Sequence, residues 1–290
     1  MVQLATRTGY CPIQSRSQSS FYHLPPYLGN IFGGLLIGTG MALTGACPGT
    51  VVVQGSLGIL SSIYVGLGGL LGGVFFVKLA PLLHYTSSNI TIPTKGADTA
   101  SNKPVRQPAD TIATRLGVGI TTALLAYEAL CILIIGLAAA FAPNDLTYVN
   151  PILGGLAIGA AQALSILLSR KTIGVSTAYE QLGQDFWSII LPSAHAKSPS
   201  HSAVWFVLGI IAGAKALAMQ VPWTMPSGEI QEIGSLTSIA GGALMIFGAR
   251  LAGGCTSGHG ISGMATLSLS SFVTVAAIFA GGIGWKMLIG

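Results

Sequence analysis

Long apolar runs alternate with short polar breaks along this chain. The apolar segments lie at about residues 28–46, 50–60, 62–83, 113–141, 151–169, 203–221, 235–254, 258–270 and 271–290. A helix needs about 20 apolar residues to span a bilayer. Several segments fall short of that and are broken by glycine. Segments 28–46 with 50–60, and 235–254 with 258–270, therefore read as pairs of partial helices. Residues 84–112 are polar and rich in Pro, Ser and Thr, and read as a loop or linker. Residues 176–191 (STAYEQLGQDFWSIIL) read as a short interfacial helix with Trp187 at headgroup depth. Residues 1–27 hold Arg7, Arg16 and no acid, and read first as a disordered basic tail and only weakly as a transit peptide.

Composition turns this pattern into a class. Charged residues are 7% of the chain and hydrophobic ones 51%, where a soluble domain carries about 25% charge. So little charge cannot cover a water-facing surface, so lipid must cover it. The expected fold is an all-α polytopic membrane protein, multi-pass, in a membrane the sequence leaves open. The net charge of +5 is small, with no basic run interleaved with aromatics, so no nucleic-acid partner is expected. Loops 84–112 (Lys95, Lys103, Arg106) and 170–202 (Arg170, Lys171, Lys197) are basic, whereas loops 142–150 and 222–234 hold only acids. The positive-inside rule makes the first pair cytoplasmic.

The chain also repeats itself. Residues 33–79 align without a gap on residues 241–287. Gly33, Gly34, Leu36, Gly40, Leu43, Gly45, Cys47, Gly55, Ser62, Val65, Gly73 and Lys78 fall on Gly241, Gly242, Leu244, Gly248, Leu251, Gly253, Cys255, Gly263, Ser270, Val273, Gly281 and Lys286. Glycine matches mean little in a chain with 40 glycines, but the cysteine and lysine matches argue against chance. The expected organisation is a tail (1–27), a first membrane repeat (28–142) and a second (150–290), with half-helices meeting at the membrane centre. If each broken pair crosses the membrane the repeats are inverted, and if each is re-entrant they are parallel. Inversion is favoured, as in many transporters.

A helix broken in hydrocarbon leaves backbone groups unpaired at several kcal/mol each, unless the break is buried in protein or lines a polar cavity. Pro48 has no N–H to give and helps end a half-helix. The following half-helices would aim free N–H groups at the breaks, from Gly49, Thr50 and Val51 and from Thr256, Ser257 and Gly258. Helix N-termini attract anions. Each break also carries a thiol, a weak donor and soft neighbour suited to a sulfur-bearing anion. A single such cysteine reads as a small residue in a tight turn, but two repeat-related ones at breaks read as a site.

The stretches GGALMIFGARLAGGCTSGHGISGMATLS (241–268) and GGLLIGTGMALTGACPGT (33–50) resemble the paired signature of the YeeE/YedE sulfur-transport family. The resemblance covers most of 28–83 and 150–290. It implies a thiosulfate permease in which Cys47 and Cys255 hand the anion on; from their places at the two breaks, Gly45, Pro48, Gly49, Thr50, Gly254, Thr256, Ser257, Gly258 and His259 are expected beside the path. The sequence departs from the family at a third cysteine, where SRKTIGVSTAY (169–179) has Gly174, Val175 and Ser176, and Ser176 would offer a hydroxyl instead. The second unit is preceded by two helical segments and the first only by the tail, which makes the first unit N-terminally incomplete by that comparison.

His259 reads equally as a guide for an anion or proton and as a helix-start residue bonded to backbone. Glu128, Lys215 and Arg250 fall within spans, so a Glu128–Lys215 or Glu128–Arg250 pair is expected, for bundle cohesion or transport. Lys78 and Lys286 read as snorkelling, and Cys131 as packing. No enzyme site, metal or cofactor motif emerges. Three functions remain open: a permease for a small sulfur oxyanion, most simply thiosulfate; a relay of persulfide sulfur to a soluble sulfurtransferase; and a non-transporting membrane scaffold.

Overall fold

The computed structural model of the chain describes residues 19–20, 25–81, 86–87, 110–141, 151–169, 174–191, 201–220 and 233–289. Helix α1 (Leu28–Thr44) stops at Gly45, whose φ of 65° is a left-handed conformation that glycine adopts without strain. Helix α2 (Pro48–Ser56) starts three residues later, with Pro48 at its first position, and α3 (Leu60–Leu79) follows. Segment 113–141 is divided at Gly117 into α4 (Ile112–Leu116) and α5 (Ile120–Phe141). Then come α6 (Pro151–Ser169), α7 (Ser176–Ile190) and α8 (Ser202–Gln220). Helix α9 (Ser235–Leu251) runs into a second glycine turn, with Gly253 at φ 81°. A seven-residue π-helix (Ser257–Gly263) and α10 (Leu269–Ile289) close the described chain. The only strands among the described residues are β1 (Ser19–Ser20) and β2 (Thr86–Ser87), two residues each and antiparallel.

Six helical stretches are long and apolar enough to cross a membrane, among them 28–56, 60–79 and 269–289. The protein is an all-α, multi-pass integral membrane protein. Residues 120–137 of α5 and all of α8 hold no fully buried residue, and large side chains such as Leu125, Ile132 and Trp205 face outward. In lipid there is no hydrophobic drive between helices, so small residues that admit close backbone approach hold the bundle.

Those residues are the repeated glycines. A Cβ on Gly33 would lie 2.6 Å from the Gly248 carbonyl oxygen, and one on Gly40 would lie 2.6 Å from that of Gly241. Residue numbers thus rise in opposite senses, and α1 and α9 run antiparallel. Gly68 and Gly72 meet Ile239 and Ala243, so α9 runs parallel to α3. Gly34 meets Ala277 and Gly38 meets Ile278, so α10 runs parallel to α1. Ile37, Val65, Met245 and Ala249 fill the space between the backbones.

Two sequence expectations fail here. Segment 176–191 is not an interfacial helix. Helix α7 packs on α3, α8 and α9 and buries Ser176, Ala178, Tyr179, Glu180, Gln181 and Gly183. A Cβ on Gly183 would sit 2.9 Å from the Gly73 backbone, so α7 meets α3 as closely as the core helices meet each other. Trp187 does not lie on a free surface: its Nε1 donates to the Val74 carbonyl at 2.9 Å and the Lys78 ammonium lies 4.8 Å from its ring. Nor does Glu128 take Arg250. The Arg250 guanidinium is paired with Glu180 of α7, both side chains less than a tenth exposed. Glu128 and Lys215 are outward-facing, and neither makes an ion pair among the described residues. The error has one cause. A polar helix reads as interfacial unless its buried partner, 70 residues away in α9, is known.

Candidate functional site

Each glycine turn delivers a cysteine to the start of a short helix. Cys47, extended at φ −88° and ψ 165°, caps α2. Its N–H donates to Thr50 Oγ1 at 2.8 Å, the Thr50 N–H is directed at its sulfur, and the Thr50 hydroxyl lies 3.4 Å from Sγ. The Val51 N–H closes the first helical bond on the Cys47 carbonyl at 3.0 Å, so it is not one of the free donors expected from the sequence. Cys255 repeats the arrangement, with the Gly258 N–H directed at its sulfur and the His259 N–H on its carbonyl at 2.9 Å. Gly258 is the residue that the alignment places on Thr50.

The two thiols differ in cover. Cys255 is 1% exposed, whereas Cys47 is half-buried. What covers Cys255 is the start of α7. The Ser176 N–H and hydroxyl both face its sulfur, Ser257 Oγ lies 3.2 Å away, and Tyr179 is adjacent. The same segment reaches the other break, since a Cβ on Gly49 would lie 4.0 Å from Val175 Cγ2. Three helix starts, those of α2, α7 and the π-helix, therefore gather round two thiols. Their N–H groups and hydroxyls supply donors, and their dipoles favour negative charge there without a formal cation.

The breaks also touch. Thr256 Oγ1 donates to Met41 Sδ at 3.5 Å, and Cys47, Thr256 and Ser257 share a cavity of about 940 Å³ with Gly45. Pro48 and Gly254 are buried in the turns. His259 has no exposure. Its Nε2 lies 3.1 Å from the Ala252 carbonyl, to which it donates, and its Nδ1 lies 3.0 Å from Ser271 Oγ. Both ring nitrogens are engaged in tying the π-helix to α9 and α10. No group of three or more His, Cys, Asp or Glu residues that could hold a metal occurs among the described residues. Reading the sequence brought Cys47, Cys255 and Ser176 into view but missed Tyr179, Val175 and the Glu180–Arg250 clamp that seats α7. No apolar pattern in 176–183 signals this burial, since Glu180 and Gln181 are buried and Leu182 is exposed.

The chain matches the sulphur transport family over residues 1–284. It is 28% identical to the thiosulfate transporter TsuA of Spirochaeta thermophila over 266 residues, covering 87% of this chain and 74% of that protein. It is 29% identical to a "probable transporter" of Xylella fastidiosa strain 9a5c over 143 residues, 49% of this chain and 96% of that much shorter protein. A family model that spans nearly every residue, together with the paired cysteine breaks, places the chain: it belongs to the sulphur transport family of membrane proteins.

Proposed function

We propose that this protein passes a sulfur-containing oxyanion, most simply thiosulfate, between Cys47 and Cys255. The observation that carries the reading is the convergence of three helix starts on two thiols, one of them ringed by Ser176, Ser257 and the Gly258 N–H. Such a ring suits a desolvated anion, and a soft sulfur neighbour suits the terminal sulfur of thiosulfate. The named function of the relative TsuA agrees with this choice. The two units act as inverted copies about the α1–α9 seam. The antiparallel run of α1 against α9 supports that arrangement, because these helices correspond in the alignment.

The test is uptake of labelled thiosulfate into vesicles holding the chain alone, with Cys255→Ala and Cys255→Ser at equal expression. Serine keeps a donor and the size but replaces soft sulfur with a harder oxygen, so slow transport persists. Alanine leaves the anion short of one hydrogen bond, a loss of about 1.5–3 kcal/mol, or roughly 10- to 150-fold in rate. Equal rates for the two variants would make Cys255 a packing residue only. A persulfide on Cys47 or Cys255, transferable to a soluble sulfurtransferase, would replace the anion relay with a sulfur relay.

A further inference from the structure

Two hydrogen-bonded routes run from the two ends of loop 84–112 to one backbone atom at the second break. At the loop's start, Ser87 pairs with Ser19 in the two-residue sheet. The Ser19 N–H and hydroxyl donate to Asn30 Oδ1 at 2.9 and 3.1 Å, and Asn30 Nδ2 donates to the Ala252 carbonyl at 3.1 Å. At the loop's end, residues 110–112 lie as a strap against the turn before α10. The Leu269 N–H donates to the Asp110 carbonyl and the Ile112 N–H to the Leu267 carbonyl, both at 3.0 Å, and Thr111 bridges Ser268. The Ser271 N–H donates to the Ser268 carbonyl at 3.0 Å, and the Ser271 hydroxyl meets His259 Nδ1. His259 Nε2 then donates to the same Ala252 carbonyl at 3.1 Å. Ser19, Asn30, Ser268, Ser271 and His259 have no exposure.

Ala252 ends α9 three residues before Cys255. The last carbonyls of a helix have no partner within it, and a buried one must find donors elsewhere. A carbonyl has two lone pairs, and at Ala252 one route supplies a donor for each. His259 grips the break twice, since its own N–H donates to the Cys255 carbonyl at 2.9 Å. It thus brackets residues 252–255. Buried networks of this kind rigidify what they join. The first break lacks the same parts. The alignment puts Thr44 at the place of Ala252, Val51 at that of His259 and, carried three residues beyond its start, Ser238 at that of Asn30. Valine has no side-chain donor, and the buried Ser238 hydroxyl has no partner among the described residues.

We propose that Asn30 and His259 are positioning residues for Cys255, and that they tie its place to the ends of loop 84–112, so that a displacement of either end is felt at this thiol and not at Cys47. The consequence for transport rests on the reading of Cys255 as a residue of the anion path.

The test uses the full chain in proteoliposomes and a small neutral thiol reagent, methyl methanethiosulfonate. Modification of the Cys255 and Cys47 peptides is read separately by mass spectrometry. His259→Phe keeps a ring of similar bulk and removes both side-chain bonds. Asn30→Leu keeps the volume and removes the donor. Each should speed modification of Cys255 about fivefold, the equivalent of one hydrogen bond, and leave Cys47 at its native rate. His259→Gln, whose amide can still donate to the Ala252 carbonyl, should restore most of the native rate. Asp110→Asn touches neither thiol but loosens the strap's hold on Tyr27 and Arg115, and should speed Cys255 by a smaller factor. Acceleration of both cysteines together would overturn the proposal, because the two residues would then support the fold at large. A Cys255 rate unmoved by His259→Phe would overturn it too, and one unmoved by Asp110→Asn would sever the loop from the break. If Cys255 responds as stated while uptake of labelled thiosulfate stays native in the same variants, the positioning role stands and the reading of Cys255 as a path residue fails.

Discussion

Replacing Glu180 with glutamine removes one charge and almost no volume, and it should loosen the whole site. In the native protein Glu180 Oε2 meets Arg250, and Oε1 accepts from Gln184 Nε2 at 3.2 Å. The two side chains are 9% and 7% exposed, so the Arg250 guanidinium has little water to fall back on. Breaking such a pair from one side leaves a buried charge without its counter-ion, at about 3–5 kcal/mol. That is a large part of the ~5–15 kcal/mol by which folded proteins are stable. Because Glu180 lies one helical turn after Ser176, the loss should appear at Cys255 as well as in the melting curve. The assay is thermal unfolding in detergent alongside the reactivity of Cys255 toward a neutral thiol reagent. Glu180→Gln should lower the midpoint by many degrees and expose Cys255 well below it. Glu180→Leu combined with Arg250→Met removes both charges, and should recover most of the stability. A double variant as unstable as the single one would refute the reasoning, because the penalty would then come from shape rather than from the unpaired charge.

Other expectations follow from the seams and the surface. Gly38→Ala should sharply reduce folded protein, since the new Cβ would lie 2.0 Å from the Ile278 carbonyl oxygen and overpacking of this kind costs about 1–3 kcal/mol or more. Gly282→Ala, with 3.5 Å to the Gly38 oxygen, should be tolerated in the same expression and melting assay. Near the start of α1, Tyr27 donates to Asp110, which also takes a two-bond clasp from Arg115 at 2.8 Å. The Arg115 guanidinium holds the Asp110 carboxyl below its ordinary value; burial opposes it, and the Tyr27 hydroxyl adds to the lowering. The contribution of the clasp is therefore complete above the ordinary carboxylate pKa of about 3.9 and fades as pH falls through the lowered one. Melting between pH 2 and pH 6 should show this fall in the native chain and a weaker one in Asp110→Asn.

The breaks were legible in the sequence because their causes are local. Gly45 and Gly253 need left-handed turns, Pro48 begins a helix, and a cysteine recurs two residues after each of those glycines. The spans were legible for the same reason, since apolar length is a property of a segment alone. What stayed hidden depends on distant pairs. Ser176 could be proposed as a donor from its alignment with a missing cysteine, yet its place over Cys255 requires α7 to be buried, which requires Arg250. Glu180, Gln181 and Gln184 make that helix look wet. The groove beside Cys47 was equally out of reach, because it is defined by which helix sits where, and no run of residues encodes it.

The seam between α1 and α9 has the logic of a homodimer contact: Gly33 meets Gly248 and Gly40 meets Gly241, each pair being the other seen from the opposite side. A contact of this isologous kind can be made by two identical chains, and one relative is matched almost end to end by only 143 residues. Identical chains, however, must carry every change twice. If the two halves are copies of one unit, a single chain lets them differ: position 250 is arginine while position 42 is alanine, and Cys255 is buried while Cys47 is half-buried. A symmetric pair has no inside and no outside of its own. The chain instead presents two chemically different thiols, one roofed and one half-buried.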